Sequence, residues 1–200
     1  MAESIVQLPA PTVKLRSWNR TVGANSVDSE AVWLEDPHDA SYTFTASQIL
    51  TTTAASHMIQ IMAGASLNVR VHRIMVRQHA APAGVNSLEL QVVRLTTAGT
   101  GGTAITPSKM DNSDGASGAT AQTLPTVKGT EGAIAYSKSL WLGTVALGPF
   151  GESWDWPQHP HMKPLIIPAG AANGIALKNV TGIATSTLVI VVELTETSFV

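Results

Sequence analysis

The chain has 200 residues, a formal net charge of −2, no cysteine, and 44% hydrophobic against only 13% charged residues. That length buries enough apolar surface to fold without a metal or disulfide, and the missing cysteines exclude thiolate nucleophiles and Cys-based zinc sites. The near-neutral charge without a basic run excludes the electrostatic footprint of a duplex-binding protein. Thr, Ser, Ala and Gly replace about half of the usual ~25% of charged residues, a composition suited to a protein that lives inside an assembly.

The opening residues, MAESIVQLPAPTVKLRSWN, lack the basic-then-apolar order of a secretory leader, and the longest apolar run, residues 188–192, is too short to cross a bilayer. The expectation is a soluble chain made in a cytoplasm, with no membrane partner. Residues 1–50 carry Pro9, Pro11 and Pro37, the cations Lys14, Arg16 and Arg20, and the tryptophans Trp18 and Trp33, without clean strand periodicity. They are expected to form an extended arm, docked either on their own domain or on another subunit, because tryptophans in such a stretch need a surface to bury against. No segment of about 12 residues shows convincing 3.6 periodicity, and residues 46–55 are compatible with a short helix.

From about Ser56 onward the pattern is of short strands between turns. SHMIQIMA, residues 56–63, reads as the first. Leu67, Val69 and Val71 then alternate with polar residues, slip phase near Arg73, and resume at Ile74 and Val76, which is the trace of a β-bulge. HAAPAGVNS, residues 79–87, is turn chemistry. SLELQVVRL repeats the slip, with Leu88, Leu90 and Val92 giving way to Val93 and Leu95, so a second bulge is expected.

Gly99, Gly101, Gly102 and Ala104 then satisfy the G-x-G-x-x-A form of a dinucleotide-binding turn. Such a turn must open a helix, and the residues after Ala104 include Pro107, Gly115 and Gly118 with no apolar periodicity, so the glycines read as a loop tip. Residues 96–132 form a long polar loop of the kind that is functional or packed against a neighbour. Within it DNSDG, residues 111–115, fails the spacing of a calcium loop and reads as an Asx turn.

KSLWLGTVAL (138–147), KPLIIP (163–168), NGIALKNV (173–180) and STLVIVVEL (186–194) complete the strands, and PAGAANG (168–174) is a turn. The last strand is apolar on both faces and is expected to be central and buried on both sides. Between 148 and 164, GPFGESWDWPQHPHMKP places Phe150, Trp154 and Trp156 in a Gly/Pro-rich stretch. Three readings fit these rings: a protein interface, a carbohydrate platform, or a cap folded back on the core. His159 and His161 sit two apart and could share a metal on an extended segment, but no third ligand accompanies them, and they read as surface or interface histidines.

Strands without alternating helices imply an all-β fold, an antiparallel jelly-roll-like β-sandwich over residues 51–200 with an extended N-terminal arm and long loops. The six histidines and scattered carboxylates form no G-x-S-x-G, H-E-x-x-H or S-x-x-K motif. The expectation is therefore a non-enzymatic protein with no catalytic residue, cofactor or metal.

RLTTAGTGGTAITPSKMD, following LNVRVHRIMVRQHAAPAGVNSLELQVV, resembles segments of tailed-phage virion proteins. There a long strand, a short linker and a second long strand ending R-x-(T/S)-T-A-G-T-G-G-T-A-x-T-P precede a variable loop. PLIIPAGAANGIALKNV with STLVIVVEL is similar to their closing hairpin. The resemblance covers roughly residues 67–194 and leaves the first 50 without a counterpart.

It implies a jelly-roll-like capsid decoration or cement protein on the virion exterior. That protein would be trimeric and would bind the major capsid protein lattice, with a tail or collar component or a receptor- or glycan-binding module as the alternative. Arg16, Trp18, Arg20 and Trp33 are then the expected arm contacts. Trp154 and Trp156 are the expected loop contact or exposed knob, with surface glycans as a further partner.

Overall fold

The computed structural model describes residues 3–7, 14–22, 25–31, 39–144, 150–156, 164–183 and 186–198. Two compact units divide the chain, Met1–Asp39 and Ala40–Val200. In the first, β1 (Glu3–Gln7), β2 (Lys14–Val22) and β3 (Asn25–Ala31) form an antiparallel sheet in the order β1-β2-β3. The expected extended arm is therefore a small sheet of its own, and it ends at Asp39, eleven residues before the expected boundary.

The second unit is a two-layer antiparallel sandwich, as the strand spacing predicts. Its strands are β4 (Ala40–Leu50), β5 (Ser56–Met62), β6 (Asn68–Ala80), β7 (Asn86–Leu95), β8 (Thr103–Ile105), β9 (Ser108–Lys109), β10 (Thr120–Thr123), β11 (Glu131–Leu142), β12 (Gly151–Asp155), β13 (Leu165–Ile167), β14 (Gly174–Asn179) and β15 (Thr187–Thr197). The first sheet runs β11-β7-β14-β5-β10-β8, and the second β12-β6-β15-β4-β9, with β13 also pairing β6. Among the described residues there is no helix.

β4 corrects the domain boundary and the short-helix reading together. Tyr42, Phe44 and Ala46 alternate inward, and β4 pairs with β15 along its whole length. The register shifts between Leu188 and Ile190, where Ser47 and Gln48 oppose the single residue Val189, and Gln48 takes a positive φ of 56°. This bulge sets the next inward residue, Ile49, three positions after Ala46, which in sequence imitates a helical repeat.

The bulge expected near Arg73 is present on β6. Glu193 pairs with Arg73 and Leu194 with Val71, leaving His72 as the extra residue. The second expected bulge is not on β7, whose register with β14 is unbroken. Val92 pairs with Leu177 and faces the main core, whereas Val93 pairs with Ala176 on the opposite face and joins Met62 and Leu95 in a second buried cluster. The apolar residues change face because both faces are covered there. β11 carries the irregularities of this pair instead, around Ile134.

β15 is central, between β6 and β4, and Leu188, Ile190, Val192 and Leu194 are buried. Val189 and Val191 are only half-buried, so the strand is not sealed on both faces as expected.

The polar stretch 96–132 is not a free loop. It supplies β8 and β10 to the edge of the first sheet and, between them, β9 to the edge of the second, which closes one flank of the sandwich. Asp111 accepts hydrogen bonds from the backbone N–H and hydroxyl of Ser113, so 111–115 is the expected Asx turn.

Because β4 is internal to the second sheet, a chain shortened to residues 40–200 is expected to keep a cooperative urea transition, whereas one shortened to 51–200 loses it. Phe44, fully buried, is expected to lower stability by about 3–5 kcal/mol when replaced by alanine, measured by the urea midpoint.

Candidate functional site

Three ionisable groups that the sandwich draws inward, His57, Glu131 and Glu196, fasten its long excursion. On the outer face of the first sheet, His57 of β5 is fully buried, and its Nε2 lies 3.0 Å from Glu131 Oε1. Gln60, three residues on, donates from Nε2 to His57 Nδ1 at 2.5 Å and accepts from the Gly99 N–H at 2.8 Å. Gln122 of β10 donates to both the Gln60 side chain and the Gly99 carbonyl. The imidazole accepts at Nδ1 and therefore donates at Nε2, which is the neutral form.

Glu131 also accepts from Lys178 at 2.6 Å and Lys128 at 3.0 Å. Partial burial alone would raise its pKa, but the hydrogen bonds from Lys178, Lys128 and His57 outweigh it and hold the carboxyl at about 2. Burial lowers the pKa of His57 more than the neighbouring carboxylate raises it.

This network explains the glycines that imitate a dinucleotide turn. A Cβ on Gly99 would come within 2.5 Å of the Val127 carbonyl oxygen and 2.8 Å of Gln60 Nε2, and Gly101 adopts a left-handed φ of 73°. The next element is strand β8, not a helix, so no dipole end faces the glycines. A second carboxylate does the same work on the far side of the excursion. Glu196 of β15, 5% exposed, accepts from the Ser117 hydroxyl (2.7 Å) and from the backbone N–H groups of Gly118 (3.0 Å) and Ala119 (2.7 Å).

The aromatic segment corrects the exposed-knob expectation. Residues 151–155 are strand β12, not a loop, and pair with Arg77 to Arg73 of β6. Trp154 is 2% exposed and belongs to the main core; Trp156 is partly buried against it. Tyr136 of β11 meets both edge-on, with ring centroids 6.4 Å from Trp154 and 6.2 Å from Trp156. For Trp154 and Trp156 the core cap is what this geometry gives, whereas Phe150 stays 39% exposed. A ring sealed between two sheets cannot stack on a sugar or a partner protein. Asp155, between the tryptophans, faces out and pairs with Arg73 at 2.5 Å.

Of the expected arm contacts, Arg16, Trp18 and Arg20 occupy alternate positions of β2, with Trp18 in register with Glu3 of β1 and Ser29 of β3. Trp33 lies outside the described residues, as do His159 and His161. Among the described residues no three His, Asp or Glu side chains come together as a metal site.

Exposed apolar side chains form a further surface, and of Trp141, Ile134 and Phe150 the sequence singles out Phe150 alone. Trp141 is 61% exposed and Ile134 57%, both on β11. Phe150 lines an open groove of about 820 Å³ together with Met75, Arg77, Glu152 and Val189. Trp141 was legible only as one residue of a strand, because its strand mates Leu140 and Leu142 are buried and the alternation alone does not say which face is solvent.

No family model, curated protein or solved structure matches the chain.

Acid should loosen the fastening in two steps. The unfolded chain, with an ordinary His pKa of 6.5, takes up a proton before folded His57 does, so stability starts to fall as pH drops through 6.5. The Glu131 contribution is fully present above 4.5 and is lost as pH falls from there through about 2. Glu131→Gln is expected to cost about 1–3 kcal/mol at pH 7, a cost that shrinks below pH 4.5 and is largely gone only below about pH 2, read from urea midpoints across that range.

The aromatic assignments are separated by substitution. Trp154→Ala is expected to destabilise by about 3–5 kcal/mol, while Trp141→Ser changes stability by no more than about 0.5 kcal/mol, both read from urea unfolding.

Proposed function

We propose that this chain is a non-enzymatic structural protein of a tailed-phage virion, a capsid decoration or cement protein that binds the outside of the major capsid protein lattice and stabilises it. The reading is carried by one observation: the segments that resemble phage virion proteins are those that build the sandwich and its fastened excursion. The two long strands of the resemblance are β6 and β7, the Gly-rich string is the stretch held by Gln60 and Gln122, and the closing hairpin is β14 and β15 with β13 before them.

The chemistry of the interior supports the same reading. His57, Glu131 and Glu196 are saturated by partners within the chain and hold loops in place. Groups engaged in this way make a rigid body, which is what a protein exposed to the environment on a particle needs. The few charges suit closely repeated copies, between which like charges would repel. Residues 1–39 are the proposed capsid-contacting unit, with Arg16, Trp18, Arg20 and Trp33 as its contacts. The glycan reading loses its platform because Trp154 is buried. A tail or collar position within the same particle is the alternative location for the same structural role.

Binding to capsids that lack the protein tests the proposal. The full chain is expected to bind saturably and to raise the temperature at which the capsids release their genome. A chain lacking residues 1–39 is expected to lose at least about tenfold in occupancy with its urea midpoint unchanged. Equal binding of both would reject the role given to residues 1–39; binding of neither would reject the capsid.

A further inference from the structure

The sandwich ends in strands of very unequal length. β8, β9 and β12 terminate their sheets with three, two and five residues, and β13 adds three beside β12. β11 ends the first sheet with twelve. It pairs with β7 on one side, and among the described residues no strand pairs with the other. Short edges are a usual protection against association, as are prolines, bulges and free charges along a long edge.

β11, EGAIAYSKSLWL, has no proline. Both of its charges are already engaged within the chain: Glu131 by Lys178 and Lys128, and Lys138 by Glu152 of β12 at 2.6 Å. Its irregularities fall between Glu131 and Tyr136, and from Tyr136 to Leu142 the ladder with β7 runs residue by residue. A regular seven-residue edge therefore stands open, without a repelling charge, next to a tryptophan that is 61% exposed.

We propose that residues 136–142 of β11 pair antiparallel with the same residues of a second copy of this chain across a two-fold axis. The occupant follows from length. A seven-residue run needs an equally long open edge, and among the described residues of the sandwich β11 alone provides one. Antiparallel pairing of a strand with itself is self-complementary, so each contact is made twice and the assembly closes at two copies.

With the axis at Ser139, Ser139 faces its own counterpart, Ser137 faces Trp141 of the second copy, and Lys138 faces Leu140. Moving the axis to Lys138 would set two ammonium groups opposite each other, which disfavours that register. The inference goes beyond the virion reading and does not need it: the pairing is a property of the free chain, whereas capsid occupancy tests the other.

The experiment is the solution mass of the full-length chain across a micromolar concentration series. Wild type is expected at twice the 20.9 kDa chain mass. Ser139→Lys and Ser139→Glu each place like charges face to face on the axis and are expected to weaken association at least roughly tenfold, with urea midpoints unchanged. Mixing the two variants sets Lys against Glu and is expected to restore the dimer, a result no general loss of folding could give. A wild-type monomer, a trimer, a dimer indifferent to either substitution, or a mixture that stays monomeric would each overturn the proposal.

Discussion

A carboxylate drawn into a protein must find donors, and in this chain Glu131 and Glu196 find them in the stretch they hold down. Glu196 receives two consecutive backbone N–H groups and a hydroxyl from residues 117–119. Glu131 sits where the excursion rejoins the sheet and gathers Lys128, Lys178 and His57. A hydrogen bond to a charged group contributes about 1.5–3 kcal/mol, and fixing the backbone of one residue costs about 1–2 kcal/mol. Each cluster can therefore order the few residues it touches. The rest of the excursion depends on the pairing of β8, β9 and β10 and on the burial of Ala119 and Ala121. A low-charge composition makes this possible, since there are few competing ions to satisfy and the charges present are placed at the points where a loop meets a sheet.

What the sequence reveals of this fold is its period, and what it hides is which face is covered. The bulge at His72 is legible because the outer face of β6 is polar, so a one-residue slip moves every aliphatic side chain visibly. At Val92 and Val93 the same slip has another cause: the outer face of the sheet is itself buried, and the residues change sides without an extra residue. β4 is the converse. A true bulge at Ser47 and Gln48 turns a strand into a three-residue step, a spacing that a helix would also give. The network around His57 was not legible at all. His57 and Glu131 lie 74 positions apart, with Gln60 and Gln122 between them, and the four meet only through the registers of β10, β5, β14, β7 and β11.

The tryptophans divide along similar lines. Glycine and proline around GESWD suggested a loop, yet β12 is a short edge strand whose inward position falls to Trp154. Its indole N–H has no hydrogen-bond partner, so the ring is held by packing and by Tyr136 rather than by polar contacts. Among the tryptophans whose burial is described, the exposed ring is Trp141, in a segment that reads as ordinary core strand. Aromatic residues in an irregular stretch are thus a weaker guide to an interface here than an aromatic residue on the outward row of a long edge.

The two flanks of the sandwich show why that edge matters. On one flank the excursion crosses from β8 to β9 and back to β10, stitching the two sheets together with strands of two to four residues. On the other, the contacts among the described residues are between side chains: Lys138 reaches Glu152, and Tyr136 meets the two tryptophans of the β12 segment. Side chains can seal the space between sheets but leave the backbone groups of the outermost strand unpaired. Inward-pointing Lys138 would serve as a guard against further pairing if its charge were free; neutralised by Glu152, it supplies the seal and forfeits the guard. The device that closes this flank is therefore the one that leaves β11 open to another strand.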